Sequence, residues 1–420
     1  MNIFIIATIV GVLISCGGGP VIPPRMLLME KLVAEMRDPS SQKSLSQVDL
    51  TKAYALQQKW SRAEEIARSI PNYRSALARL ALVEARIELG QFAEASRDLI
   101  AMPSLPMDGE GPQRWEIVSR QLSLAEAVNI YPEMIAAYEK ANIRVPDQFK
   151  GSGTNLPAYQ SPSVVQEDQK PGTTEKKGSD VKMTKKSNSK NLSSKSVPVN
   201  LEAPEGGEVF LARIKVKMGL QVLMARAEGL ITLERKDDAR NLLLPMLTSQ
   251  DDSSFPNLRL QGEYYILCWK AGLQDQVRPL LPPLFEKLGA FPIQHSDLGD
   301  YLAAGIVLAT LDGKPEVARR MLEYGREGLR HHSDFSRNKN FAVLGKGCWE
   351  SKMEKEAREC WERSLQGASV IPNPQSRAVG AFEVLLAQQR VSAPTLPEEE
   401  RQIRDILVKL PEAYLTIGVK

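Results

Sequence analysis

Leu82-Val83-Glu84-Ala85-Arg86-Ile87-Glu88-Leu89-Gly90-Gln91-Phe92-Ala93-Glu94-Ala95-Ser96-Arg97-Asp98-Leu99 reads as two helices joined by one tight turn. Glycine at the turn permits positive φ and ends the first helix. Phe92, two places on, fills the gap against a neighbouring hairpin. Ala95, five places on, lies on the inner face of the second helix, where a larger side chain would push the partner helix away. The pattern returns along the chain: Trp60 precedes Ala63, Gly272 precedes Val277, Gly313 precedes Ala318, and Lys352 precedes Ala357. Gln58, Glu234 and Lys352 stand where the turn glycine would be, and Lys236, Gln274, Pro315 and Glu354 stand where the aromatic would be.

Measured on the alanine column, the copies lie 32, 38, 41 and 39 residues apart. Gly-x-[Tyr/Phe]-x-x-Ala at such intervals resembles the tetratricopeptide repeat, whose own period is about 34 residues. Leu82–Met102 carries the resemblance best, and the C-terminal hairpins are longer than the family's. A second echo supports a true repeat. Cys268-Trp269 stands four residues before Gly272, and Cys348-Trp349 four before Lys352. A small thiol beside an indole is a plausible packing pair for that slot. The resemblance implies an all-α fold, an α-solenoid of antiparallel helix hairpins in two segments. It also implies a surface that grips a partner rather than one that performs chemistry.

Composition agrees. Apolar residues make up 43% of the 420, enough for a sizeable core, while aromatics are only 6%, which suits Ala/Leu-rich helix packing. The net charge of +3 gives no reason to expect nucleic acid. The four cysteines include no Cys-x-x-Cys, so neither a metal site nor a disulfide framework is expected. Cys268, Cys348 and Cys360 read as core; an oxidising compartment would also allow two of them to pair.

The N-terminus reads differently. Ile3–Ile14 is continuously apolar, the length of a signal-peptide core and too short to span a bilayer. It ends in Leu13-Ile14-Ser15-Cys16, which resembles a bacterial lipobox. The resemblance implies cleavage before Cys16, acylation of its sulfur, and an outer-membrane position facing the periplasm. Residues 16–25, rich in Gly and Pro, would be the tether. The region before the apolar run holds no Lys or Arg, which leaves open an uncleaved anchor, an ordinary secretory signal, or a true start at Met26.

The remaining expectations follow from composition shifts. A helix covers Met26–Arg37, and an N-terminal module occupies residues 26–145. Residues 146–207 are Ser, Lys, Gly, Thr and Pro with almost no large apolar side chain, which predicts a disordered basic linker. Its lysines suit an anionic surface or simply solubility. A C-terminal module follows over 208–392, with one helix expected over Gln274–Leu288. A terminal helix and tail take 393–420, with Ile403, Ile406, Leu407 and Leu410 as its apolar stripe and Lys409 near its end.

Catalytic motifs are sparse. Ser40-Ser41-Gln42-Lys43 fits Ser-x-x-Lys without its companion motifs, and Gly345-Lys346-Gly347 lacks the spacing of a phosphate loop. His331-His332 are adjacent and project apart, so they suit a helix end better than a metal. Arg319, Arg326 and Arg330 share a helical face with Glu323 and Glu327, a solvated face or the lip of a groove for an acidic partner. The expectation is a non-catalytic adaptor, lipid-anchored at Cys16, that binds an envelope protein or peptide and needs no cofactor, metal, nucleic acid or small-molecule substrate. The alternatives are an envelope enzyme or accessory factor for cell-wall glycan, and a cytosolic scaffold if Met26 is the start.

Overall fold

The computed structural model describes residues 22–36, 41–71, 73–102, 111–141, 207–248 and 255–417. The expected signal peptide, Cys16 and most of the expected tether lie outside them, as does the basic segment up to residue 206. The chain is all-α, with no strand among the described residues. No described helix is long and apolar enough to cross a membrane.

In chain order the first helices are α1 (Pro24–Glu35), α2 (Ser41–Leu56), α3 (Trp60–Ser69), α4 (Arg74–Glu88), α5 (Phe92–Ala101), α6 (Gly111–Ala127) and α7 (Tyr131–Lys140). After them come α8 (Gly207–Thr232), α9 (Lys236–Thr248), α10 (Leu258–Lys270), α11 (Gln274–Val277), α12 (Leu281–Gly289) and α13 (Leu298–Leu311). The last are α14 (Pro315–Gly328), α15 (Asp334–Glu350), α16 (Glu354–Val370), α17 (Pro374–Arg390) and α18 (Pro397–Ile417). Gly207, the last residue assigned to the linker, already opens α8.

One local device joins most pairs. Gln58, Gly90, Glu234, Gly272, Gly313 and Lys352 all have positive φ, between 57° and 90°. After Gln58, Glu234, Gly272, Gly313 and Lys352 the next residue donates its N–H five residues back, as Lys314 does to Ala309 at 2.8 Å and Met353 to Cys348 at 2.9 Å. Its own carbonyl then accepts the first four-residue helical hydrogen bond of the following helix: Ala318 N–H reaches Lys314 O at 3.3 Å, and Ala357 N–H reaches Met353 O at 3.0 Å. One residue thus ends one helix and begins the next. Ala63, Ala95, Ala239, Val277, Ala318 and Ala357 are all 0% exposed. Asn129 and Ser392 adopt the same positive φ. At Gly313 a methyl group would meet nothing within 4 Å, so that glycine serves backbone conformation alone.

Close approach of helices is achieved elsewhere. A methyl at Gly347 of α15 would lie 2.9 Å from the Cα of Ala303 on α13, and one at Gly262 of α10 would lie 2.8 Å from the Ala304 Cβ. These mid-helix glycines let α10, α13 and α15 pack backbone to backbone. Two expectations are corrected. Gln274–Leu288 is not one helix: a 3-10 turn over Arg278–Leu280 separates α11 from α12, because Pro279, Pro282 and Pro283 supply no N–H. The last helix runs to Ile417, so Lys409 lies in its interior.

The described helices fall into two compact units: Met1–Arg86 with Asn257–Lys420, and Ile87–Pro256. In the first, α10, α13, α15 and α17 pack in succession, α14 and α16 pairing with their neighbours. The row does not finish at α18. Helix α1 packs on both α17 and α18, and α2 packs on α17. Met26, Met29 and Leu32 of α1 are fully buried there. Arg25 donates to Thr395 Oγ1 at 2.8 Å, to Gln389 Oε1 at 3.3 Å and to the Ala393 carbonyl. In the second unit, α5, α6 and α7 pack together, α6 packs on α8, and α8 on α9. Tyr138 there donates to Gln121, whose Nε2 donates to the Leu99 carbonyl at 3.2 Å.

Candidate functional site

Where α14 ends, the 3-10 turn Leu329–His331 carries the chain into α15, and α16 runs back alongside. A groove of about 380 Å³ opens between these three elements. Arg326, Arg330, Arg337 and Arg363 line it, with Phe341, Gln366, Gly367 and Val370. Val370 is 67% exposed at its lip. Gly367 is glycine for a reason: a methyl there would run into the Asn338 side-chain amide. Asn338 is fully buried, and neither polar atom of its amide has a hydrogen-bond partner among the described residues.

The four guanidinium groups are unequally neutralised. Arg326 Nη2 pairs with Glu359 at 2.8 Å, Arg330 with Glu327 at 2.9 Å, and Arg337 with Asp334. Among the described residues no carboxylate pairs with Arg363, whose guanidinium lies 5.9 Å from the centre of the Phe341 ring. Arg326 also retains a buried Nε without a partner among the described residues. The groove therefore presents positive charge with unused donors, over an aromatic floor. Such a surface suits carboxylates or other oxyanions, for which arginine offers a two-pronged, charge-assisted contact.

Arg326 and Arg330 thus line the groove. Arg319 is exposed and is not part of the lining. His332 is occupied structurally, its ring nitrogens meeting the Ile293 carbonyl at 2.5 Å and Ser336 Oγ at 3.2 Å. Among the described residues no three His, Cys, Asp or Glu side chains gather as a metal site. Gly90, Gly272 and Gly313 sit at the turns, and Phe92 packs beside Gly229 of α8. Ala95, Ala318 and Ala357 face the core.

The paired Cys-Trp motifs have matching surroundings. Both thiols are buried, and burial pushes the Cys268 thiol up to about 12. Arg278 covers Trp269 at 5.6 Å and Arg358 covers Trp349 at 4.9 Å, each arginine following its tryptophan by the same interval. Cys348 and Cys360 are free thiols that share a hydrogen bond across the α15–α16 pair, which raises Cys348. The Arg326 guanidinium also reaches Cys360.

The first helices of the hairpins carry charge as well, but those charges largely satisfy one another. Arg259 lies 3.7 Å from Asp300, Lys339 3.4 Å from Asp297, and Arg390 3.4 Å from Asp49. Glu383 sits among them with no ion-pair partner among the described residues. Its carboxyl is pushed up to about 7, first by burial, then by Asp49.

No protein-family model matches the chain, and no curated protein and no solved structure matches it significantly. The functional reading rests on the residues themselves.

Proposed function

We propose that this protein is a non-catalytic interaction scaffold of tetratricopeptide-like hairpins, and that the groove around Arg363 grips an acidic segment of a partner. The observation that carries the reading is Arg363, a guanidinium with no carboxylate partner among the described residues, beside three further arginines in one groove. The three neighbours already have carboxylates, so Arg363 leaves one positive charge over, and an anionic partner entering the groove is favoured. The partner is an acidic peptide or helix of an envelope protein, in the mode by which arginine clusters recognise acidic motifs.

A fluorescent peptide rich in Glu is expected to bind the wild-type chain, and the affinity is expected to fall as salt rises. Arg363→Glu with Arg337→Glu should weaken binding by roughly tenfold or more, since reversing two rim charges replaces attraction by repulsion. Equal affinity in wild type and double variant, measured by fluorescence anisotropy, would refute the assignment of the groove.

We propose further that Cys16 is acylated and holds the chain at the bacterial outer membrane, on the strength of Leu13-Ile14-Ser15-Cys16 after an apolar run. Cells fed a clickable fatty acid should incorporate it into the wild-type protein and not into Cys16→Ala. Equal labelling of both would exclude this anchor.

A further inference from the structure

The second unit holds a cavity that the scaffold reading does not use. Its volume is about 540 Å³, within the range of small-ligand sites. Phe92 of α5 and Asn129 at the α6–α7 turn line one side; Arg226 and Leu230 of α8, then Arg235 and Leu242, line the other. The polar end is Arg226. Its Nη1 donates to Asn129 Oδ1 at 3.0 Å. Asn129 is held in place by its own left-handed backbone, φ 61°, at the turn. Among the described residues no carboxylate pairs with Arg226.

Arg235 lies close enough to lower the pKa of Arg226, after the larger effect of burial. Arg235 itself directs Nε to Asp238 at 2.6 Å. The lining therefore carries one positive charge more than its carboxylate neutralises. A part-buried guanidinium with spare donors is costly without an anion and favourable with one. The apolar side is firmly seated. A methyl at Gly229 would collide with the Ile87 carbonyl and lie 3.4 Å from the Phe92 ring, so α8 is pressed against Phe92.

We propose that this cavity binds a carboxylate carried on an apolar body. Arg226 makes the charged contact, and Phe92, Leu230 and Leu242 enclose the apolar part. The single excess charge selects a monoanion over a phosphate dianion. Two sources offer this chemistry: the free C-terminus of a peptide ending in a large apolar residue, and a fatty acid.

Calorimetric titration of the full chain with N-acetylphenylalanine, its primary amide and octanoate tests the site. At least one of the two acids should bind, and the neutral amide should bind at least about tenfold more weakly than the acid. A preference for N-acetylphenylalanine assigns the peptide C-terminus; a preference for octanoate assigns the fatty acid. Arg226→Met, which keeps much of the apolar stem, should cost about tenfold in acid affinity. Asn129→Ala, which releases the guanidinium without removing its charge, should cost less and decides the matter if the methionine variant does not fold. Failure of both acids to bind, equal binding of acid and amide, or unchanged affinity in both variants overturns the proposal.

Discussion

Replacing Glu399 by alanine is expected to destabilise the unit formed by the N-terminal helices and residues 257–420 by about 3–5 kcal/mol, the cost of removing one member of a buried ion pair. Glu399 is 6% exposed and accepts four hydrogen bonds from three donors. Arg358 Nη1 reaches both carboxylate oxygens at 3.0 Å, Gln388 Nε2 reaches one at 2.9 Å, and the Leu396 N–H reaches it at 2.8 Å. The last bond spans Leu396 to the third residue of α18, half of a capping box. Without the carboxylate, Arg358 loses its pair while stacked over Trp349 and Trp361, and Arg25 loses a nearby countercharge. Urea unfolding followed by tryptophan fluorescence measures the loss. Glu399→Gln, which keeps an acceptor, should cost less; a loss below about 1 kcal/mol for alanine would mean that the network contributes little.

Glu383→Gln is expected to act in the opposite direction, and only at higher pH. In the folded protein the Glu383 carboxyl is pushed from 4.5 up to about 7 by burial, then by Asp49, against the opposing pull of Arg390 and Lys339. The folded chain therefore holds this proton more tightly than the unfolded chain. Below about pH 4.5 both states are protonated and the group costs nothing. Between about 4.5 and 7 stability falls as pH rises, and above about 7 the full penalty is present. One pH unit corresponds to about 1.4 kcal/mol, so glutamine should stabilise by about 2–3 kcal/mol at pH 8, less where water reaches the side chain. At pH 4 it should be nearly neutral. Thermal unfolding at the two pH values separates the cases, and an equal effect at both would show that Glu383 does not titrate abnormally.

What was legible in the chain was local. Gln58, Glu234 and Lys352 could be aligned with the turn glycines because the buried alanine five residues later marks the register whatever residue occupies the turn. Asn129 and Ser392 escaped because Met134 and Pro397 stand in that alanine column. Arg326 and Arg330 were legible as a pair because four residues make one helical turn. Arg337, Phe341 and Arg363 were not, since tertiary packing brings them to the groove from two further helices. The packing roles of Gly262 and Gly347 were not legible, because a glycine inside a helix has no local signature of the backbone that will lie against it. The burial of α1 against α17 and α18 was beyond periodicity altogether, for Arg25 meets Thr395 across 370 residues of sequence.

That last contact sets a schedule. During synthesis α1 leaves the ribosome well before the surface that shelters Met26, Met29 and Leu32, which is made by α17 and α18. Closing so long a loop costs entropy before any contact rewards it. The nascent chain therefore carries a greasy segment with no native seat until α17 and α18 have emerged, and a chaperone that shields it has a defined interval in which to do so.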